Sequence, residues 1–98
     1  MITHVVSFRW KADTSPDQLV RIQQALASLP ALIPQIVTYK FGSDLGAHGP
    51  GNMDFAIVAT FASVDDWRQY DAHPDHDRVR AEVIRPWIAE RAAVQFEH

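Results

Sequence analysis

The chain has 98 residues, of which 47% are hydrophobic, and twelve Asp and Glu against nine Lys and Arg give a net charge of −3. This length leaves room for one domain, residues 1–98, around one hydrophobic core. The absence of a basic stripe excludes the usual footprint of a nucleic-acid-binding protein, and the absence of cysteine excludes disulfides and thiolate chemistry.

The chain begins with a strand pattern. One face of this strand carries Ile2, His4, Val6, Phe8 and Trp10, and the other carries Thr3, Val5, Ser7 and Arg9. Because the N-terminal segment lacks a long apolar run and goes directly into a strand, we expect no signal peptide, no membrane span and a cytoplasmic location.

A helix follows, and its start is clearly marked. Ser15 is an N-cap residue, Pro16 stands at the first helical position, and Gln18 comes three residues after the cap. Apolar residues then recur at helical spacing to about Pro30, namely Leu19, Ile22, Leu26 and Leu29. The pattern predicts an amphipathic helix with one buried face.

Two further strands are predicted on either side of a glycine-rich connection. The first, Gln35–Phe41, is β-branched and aromatic, and we expect it to end at Gly42. The second, Asp54–Phe61, alternates again. The four glycines of the connection match neither a P-loop nor a dinucleotide-binding fingerprint, so they predict a mobile loop.

The C-terminal part predicts two helices and a fourth strand. Ser63 caps a short helix that carries Trp67 and Tyr70 on one face, and Pro74 begins the next helix. The apolar stripe of that next helix consists of Val79, Val83, Ile84 and Trp87. The last strand is predicted over Arg91–Glu97.

The element order β-α-β-β-α-β predicts an α+β, ferredoxin-like fold, with a four-stranded antiparallel sheet and helices on one face. The opposite face would carry Thr3, Val5, Ser7, Arg9, Ala56, Val58 and Thr60. Such a face is too apolar to be left in water. Burial against a second copy of the same sheet is the simplest solution, so we expect a homodimer through the open sheet face.

Acid and base chemistry concentrates in the run from Tyr70 to His76. These two side chains, and His4 in the otherwise apolar face of the first strand, are the most suited to proton transfer. In the first turn of a helix, the positive end of the dipole keeps an imidazole neutral, which is the form that a base requires. We expect the three side chains to line one cavity between sheet and helices, with walls formed by Val6, Phe8, Ile57, Val79 and Trp87.

The whole chain resembles the stress-responsive A/B barrel (Dabb) family. The resemblance rests on the opening strand 4–11, the Phe41-Gly42 pair, the strand 54–61, the motif Tyr70-x-x-His73-Pro74-x-His76 and the later Pro86-Trp87 pair. It implies a ferredoxin-like protomer whose sheet pairs with a second sheet in a dimeric α/β barrel. It implies no single activity, because most members have no assigned reaction and a fold does not fix a function.

Within this family, the chain is similar to a plant polyketide cyclase at Tyr70, His76 and His4. This similarity implies ring closure of a poly-β-ketone without metal or organic cofactor, with His76 as base and Tyr70 bonded to the enolate or substrate oxygen. It also implies pocket positions at Ile22 and Leu26, where the cyclase has aromatic residues. Because those residues differ, the pocket has another shape and the substrate does not carry over.

The same residues have simpler explanations. Tyr70 and His76 can pack around the turn that Pro74 makes, His73 can serve as an N-cap or a surface turn residue, and His4 can be a core histidine bonded to a carbonyl. A metal site at the two histidines of the motif needs a third or fourth ligand that the sequence does not supply, so we expect no metal site.

Two functions therefore compete. One is a homodimer that binds a small apolar ligand between sheet and helices without turnover. The other is a cofactor-free cyclase, lyase or isomerase that acts on a β-dicarbonyl compound, and a cofactor-free monooxygenase is a weaker third. A water-accessible cavity lined by His4, Tyr70 and His76 favours an enzyme, whereas a packed junction favours the simpler explanation.

Overall fold

The computed structural model describes residues 1–98 as a four-stranded antiparallel sheet covered by helices on one face. The strands are β1 (Ile2–Trp10), β2 (Ile36–Ser43), β3 (Phe55–Phe61) and β4 (Ile88–Glu97). They lie in the order β2-β3-β1-β4, with every neighbouring pair antiparallel. This arrangement is the ferredoxin-like topology, and the predicted fold class is confirmed.

Three helices begin at the predicted caps. They are α1 (Pro16–Leu32), α2 (Val64–Asp71) and α3 (Pro74–Arg78). The hydroxyls of Ser15 and Ser63 each accept a hydrogen bond from the backbone N–H three residues further on, at 3.2 and 3.1 Å. His73 caps α3 in a similar way through its Nδ1. None of the helices combines the length and the apolar character needed to span a lipid bilayer.

The chain after α3 stays helical but changes its winding. Residues Val79–Ile84 form a π-helical turn, at whose end the N–H of Arg85 donates to the carbonyl of Arg80, five residues back. A 3-10 turn, Arg85–Trp87, then leads into β4. We call residues 74–87, which pass through these three windings, the C-terminal helical segment.

The hydrophobic core lies between the sheet and the helices. The antiparallel register places Phe55 beside Phe8 and Ile57 beside Val6 on the helix-facing side of the sheet. The buried members of the core are Ile2, Val6, Phe8, Ile22, Leu26, Leu29, Ile33, Phe55, Ile57, Ala59, Phe61, Tyr70, Val79 and Ile84. The alternation of the strands and the apolar stripe of α1 therefore both place their apolar side chains in this core.

Three predicted boundaries differ from the structure by two or three residues. β2 does not end at Gly42 but continues through it, because Gly42 stays extended and pairs with β3. α1 continues two residues beyond Pro30, since a proline in the last turn removes little of the helical hydrogen bonding. β4 begins before Arg91, because Ile88 already pairs with Trp10.

The opposite face of the sheet carries apolar side chains that no helix covers. Val94 and Phe96 of β4 lie beside Val5 and Thr3 on this face, and they are 58% and 51% exposed. Val58 of β3 lies beside Val5 on the other side. This surface is the one from which the sequence predicts a homodimer.

We expect Ile22→Ala to lower the free energy of unfolding by about 2–5 kcal/mol, because Ile22 is completely buried and its truncation leaves a cavity in the core. Val20→Ala, on the exposed side of the same helix, should change it by less than about 0.5 kcal/mol. Urea denaturation followed by circular dichroism gives both values. Equal effects of the two substitutions would contradict the packing of α1 described here.

Candidate active site

A cavity of about 300 Å³ lies between the helix-facing side of the sheet and the C-terminal helical segment. His4 of β1, Tyr70 of α2 and His76 of α3 all line it, as do the apolar residues Val6, Phe8, Leu26, Ile57 and Val79. Polar groups from three separate elements therefore meet inside a largely apolar pocket, which is the usual composition of a small-molecule site.

Two residues predicted for the pocket wall, Ile22 and Trp87, lie outside the cavity. Ile22 is completely buried in the core. Trp87 lies with Val83 in a separate groove against α1. The π-helical turn is the reason, because it brings Val79 and Ile84, five residues apart, to the cavity. An α-helix would instead have aligned residues three and four apart.

His76 is held in one orientation by its surroundings. Its Nδ1–H donates to the backbone carbonyl of Asp71 at 3.0 Å, because a carbonyl oxygen can only accept. In the neutral ring, this bond leaves Nε2 unprotonated and without a partner in the protein. The ring also packs against that of Tyr70, with 4.2 Å between the centroids. His76 is thus arranged as a proton acceptor.

Tyr70 reaches across the core to Tyr39 of β2, a cavity residue that sequence reasoning missed. The two hydroxyl oxygens lie 3.0 Å apart and share a hydrogen bond. The Tyr70 ring is buried and packs against Phe61, with 5.0 Å between the centroids. When Tyr39 is the donor in this pair, the hydroxyl hydrogen of Tyr70 is free to bind an oxygen of another molecule.

His4 has the complementary arrangement. Its Nδ1 accepts a hydrogen bond at 3.0 Å from the side-chain amide of Gln95 on β4, because an amide NH₂ can only donate. The neutral ring then carries its hydrogen on Nε2. The indole of Trp67 packs against the imidazole, with 5.9 Å between the centroids. His4 therefore offers a hydrogen-bond donor where His76 offers an acceptor.

Burial sets the protonation state of all four groups. It lowers the pKa of His76 below the usual 6.5, although the hydrogen bond to the Asp71 carbonyl opposes this shift. It also lowers the pKa of His4, and the positive charge of Arg91 acts in the same direction. Burial raises the pKa of both Tyr39 and Tyr70 above 10. At neutral pH, both imidazoles are therefore uncharged and both phenols keep their protons.

Charged residues also line the cavity, and sequence reasoning assigned none of them to it. Asp71 and Arg80 form an ion pair, with 3.2 Å between the carboxylate and the guanidinium. Arg85 comes from the 3-10 turn and Arg91 from β4. The apolar or aromatic wall residues missed are Trp67, Ile84 and Ile88. Arg91 joins the other charged side chains only because β4 pairs with β1, so no local motif marks it.

The other histidine of the motif has a local role. His73 Nδ1 accepts a hydrogen bond from the backbone N–H of Asp75 at 3.1 Å. This is the geometry of an N-cap, which is one of the two roles predicted for His73. No group of three or more His, Asp and Glu side chains in the structure is arranged to hold a metal ion. His73 is therefore explained by the start of α3.

Comparison with known proteins connects this fold to a family. The sequence matches the Stress responsive A/B Barrel Domain family, Dabb, over residues 2–98. No curated protein matches the chain.

Several solved structures share the fold. A dimeric ferredoxin-like protein of unknown function from Thermobifida fusca is 45% identical, with a TM-score of 0.91 over 99% of this chain and 90% of that one. A dimeric protein of unknown function from Bacteroides fragilis is 26% identical, with a TM-score of 0.82 over 99% and 95%. A hydroxynitrile lyase from Passiflora edulis is 23% identical, with a TM-score of 0.85 over 97% and 90%.

None of these proteins is described as a polyketide cyclase, so the similarity to a polyketide cyclase stays a prediction.

The family match covers nearly every residue, and the T. fusca relative aligns over almost the whole of both chains. The protein therefore belongs to the Dabb family of stress-responsive A/B barrel domains.

Proposed function

We propose that the protein is a homodimer that binds a small, largely apolar carbonyl compound in the cavity and transfers a proton at the carbon next to the carbonyl. The observation that carries this proposal is that His76, whose Nε2 has no hydrogen-bond partner in the protein, lines a largely apolar cavity. A neutral imidazole with one nitrogen fixed and the other free is suited to act as a general base.

The proposed reaction step begins at His76. Its Nε2 takes the proton, and the electron pair of the broken C–H bond moves onto the carbonyl oxygen to give an enolate. Tyr70 and the Nε2–H of His4 are the donors suited to stabilise that oxygen. The same enolate forms in aldol-type bond formation, in the reverse cleavage and in isomerisation, so a cyclase, a lyase and an isomerase would share this step.

The fold is compatible with catalysis but does not carry the proposal. A hydroxynitrile lyase has the same fold at 23% identity, whereas the relatives from T. fusca and B. fragilis are described as having unknown function. Because one fold supports many functions, the support comes from the cavity residues themselves.

Ligand binding without turnover is the second candidate. Its support is that Tyr70 already bonds to Tyr39, and His76 to a backbone carbonyl. These bonds also serve to fix the junction between α2 and the C-terminal helical segment. The cavity would then hold its ligand by apolar contact.

We expect the protein to catalyse deuterium exchange at C3 of nonane-2,4-dione, a β-diketone, above the buffer rate measured by NMR. His76→Ala should lower this rate by ~10²–10⁴-fold, which is the usual contribution of a positioned base. Tyr70→Phe should lower it less, because it removes one hydrogen bond and keeps the ring. His48→Ala, in the exposed loop, is the control and should keep the full rate.

The same samples separate the two candidates. Trp67 lies in the cavity wall, so its fluorescence reports binding of the diketone. Saturable binding without exchange would leave the binding function and exclude this proton transfer. The absence of both binding and exchange would contradict the proposed function.

The homodimer rests on the open sheet face and on the dimeric relatives. We expect light scattering at micromolar concentration to give a mass near twice 11.1 kDa. Val58→Asp should shift the mass toward the monomer, because burying an unpaired charge costs several kcal/mol. Val20→Asp, on the exposed side of α1, is the matched control and should leave the dimer intact. A monomer that persists at high concentration would contradict the assembly.

A further inference from the structure

Some arginines of the chain form ion pairs with carboxylates and others do not. Of the seven arginines in the sequence, Arg9, Arg68, Arg78 and Arg80 each have a carboxylate within 4.0 Å. Arg21, Arg85 and Arg91 have none, and the last two both line the cavity. An acidic protein therefore places two of its three unpaired guanidinium groups at one small-molecule site.

Both unpaired side chains belong to the mouth of the cavity. Arg85 lies in the 3-10 turn that follows the π-helical turn, and Arg91 lies on β4 beside Phe8, on the helix-facing side of the sheet. Both residues are exposed, whereas Ile88, which lines the cavity too, is half-buried. A ligand with its apolar part inside would meet these two groups at its outer end.

The other charges of the cavity do not neutralise them. Three arginines and one aspartate line it, and Asp71 is already bonded to Arg80. The positive charge of Arg91 also reaches His4, whose pKa it helps to lower. The polar end of the cavity therefore has a positive charge that no lining carboxylate balances.

We propose that the ligand of this cavity carries a carboxylate, bound by Arg85 and Arg91 at the mouth, and an apolar body that lies against Val6, Phe8, Ile57 and Val79. This inference rests on the proposed function and adds the chemical class of the ligand to it. The guanidinium fork matches a carboxylate with two parallel N–H···O bonds, which a neutral amide cannot accept equally well. Bound this way, the ligand presents its chain, and not its acidic end, to His76.

The test compares two probes of the same size and chain, octanoate and octanamide, by calorimetric titration at pH 7.5 and low salt. We expect octanoate to bind the wild type about ten times more tightly, a preference that corresponds to about 1.4 kcal/mol. Added salt should reduce the preference, because the mouth is exposed to solvent.

Variants of the arginines test which residues cause the preference for octanoate. The double variant Arg85→Gln/Arg91→Gln should reduce the preference for octanoate over octanamide to about twofold or less. Its binding of octanamide should be nearly unchanged, which also shows that the variant is folded. Arg21→Gln, the unpaired arginine in the other groove, is the control and should keep the preference.

The outcomes are distinct. Equal binding of the two probes to the wild type would overturn the carboxylate inference and leave the binding function standing. A preference that survives in the double variant would also overturn it, since another group would then hold the anion. If neither probe binds, the carboxylate inference fails, whereas the proposed function is decided by the binding and exchange of nonane-2,4-dione.

Discussion

The π-helical turn of the C-terminal helical segment, which packs against α1 and faces the sheet across the cavity, is the constraint on which the site depends. Val79 and Ile84 are both buried and both line the cavity although they are five residues apart, because the π-helical winding puts them on the same side. The cavity lies between this turn and the sheet. α1 closes the cavity with Leu26, and the edge strand β4 leaves its mouth open.

Burial gives this cavity its chemistry as well as its shape. A group removed from water prefers its uncharged form, so His4 and His76 are held neutral and Tyr39 and Tyr70 keep their protons. The lowered pKa values of the two histidines also contribute to stability above about pH 6.5. That contribution is lost as the pH falls through the lowered values, because the folded state then has to accept buried charge.

Local signals in the sequence predict much of this structure. The caps at Ser15, Ser63 and His73 mark the helix starts because a side-chain acceptor must satisfy the first free N–H groups. Strand alternation likewise places His4 on the helix-facing side of the sheet. These features depend on neighbours in the chain, so a sequence can display them.

The remaining features depend on contacts between distant segments. Trp87 was misplaced because nothing local distinguishes a π-helical turn from an α-helix with the same apolar residues. Tyr39 was missed because an irregularity between Ile36 and Thr38 interrupts the alternation of β2 that would have assigned its face. Arg91 reaches the cavity only through the pairing of β4 with β1.

The central claim is that His76 offers a free, neutral Nε2 to the cavity. Long-range ¹H–¹⁵N correlation NMR of the histidine rings tests it directly, with His76→Gln to assign the signal. At pH 7.5 we expect Nδ1 of His76 to carry the hydrogen and Nε2 to be bare, and the ring should take up its second proton only below pH 6.5. A hydrogen on Nε2, or a ring that is already charged at neutral pH, would contradict the claim.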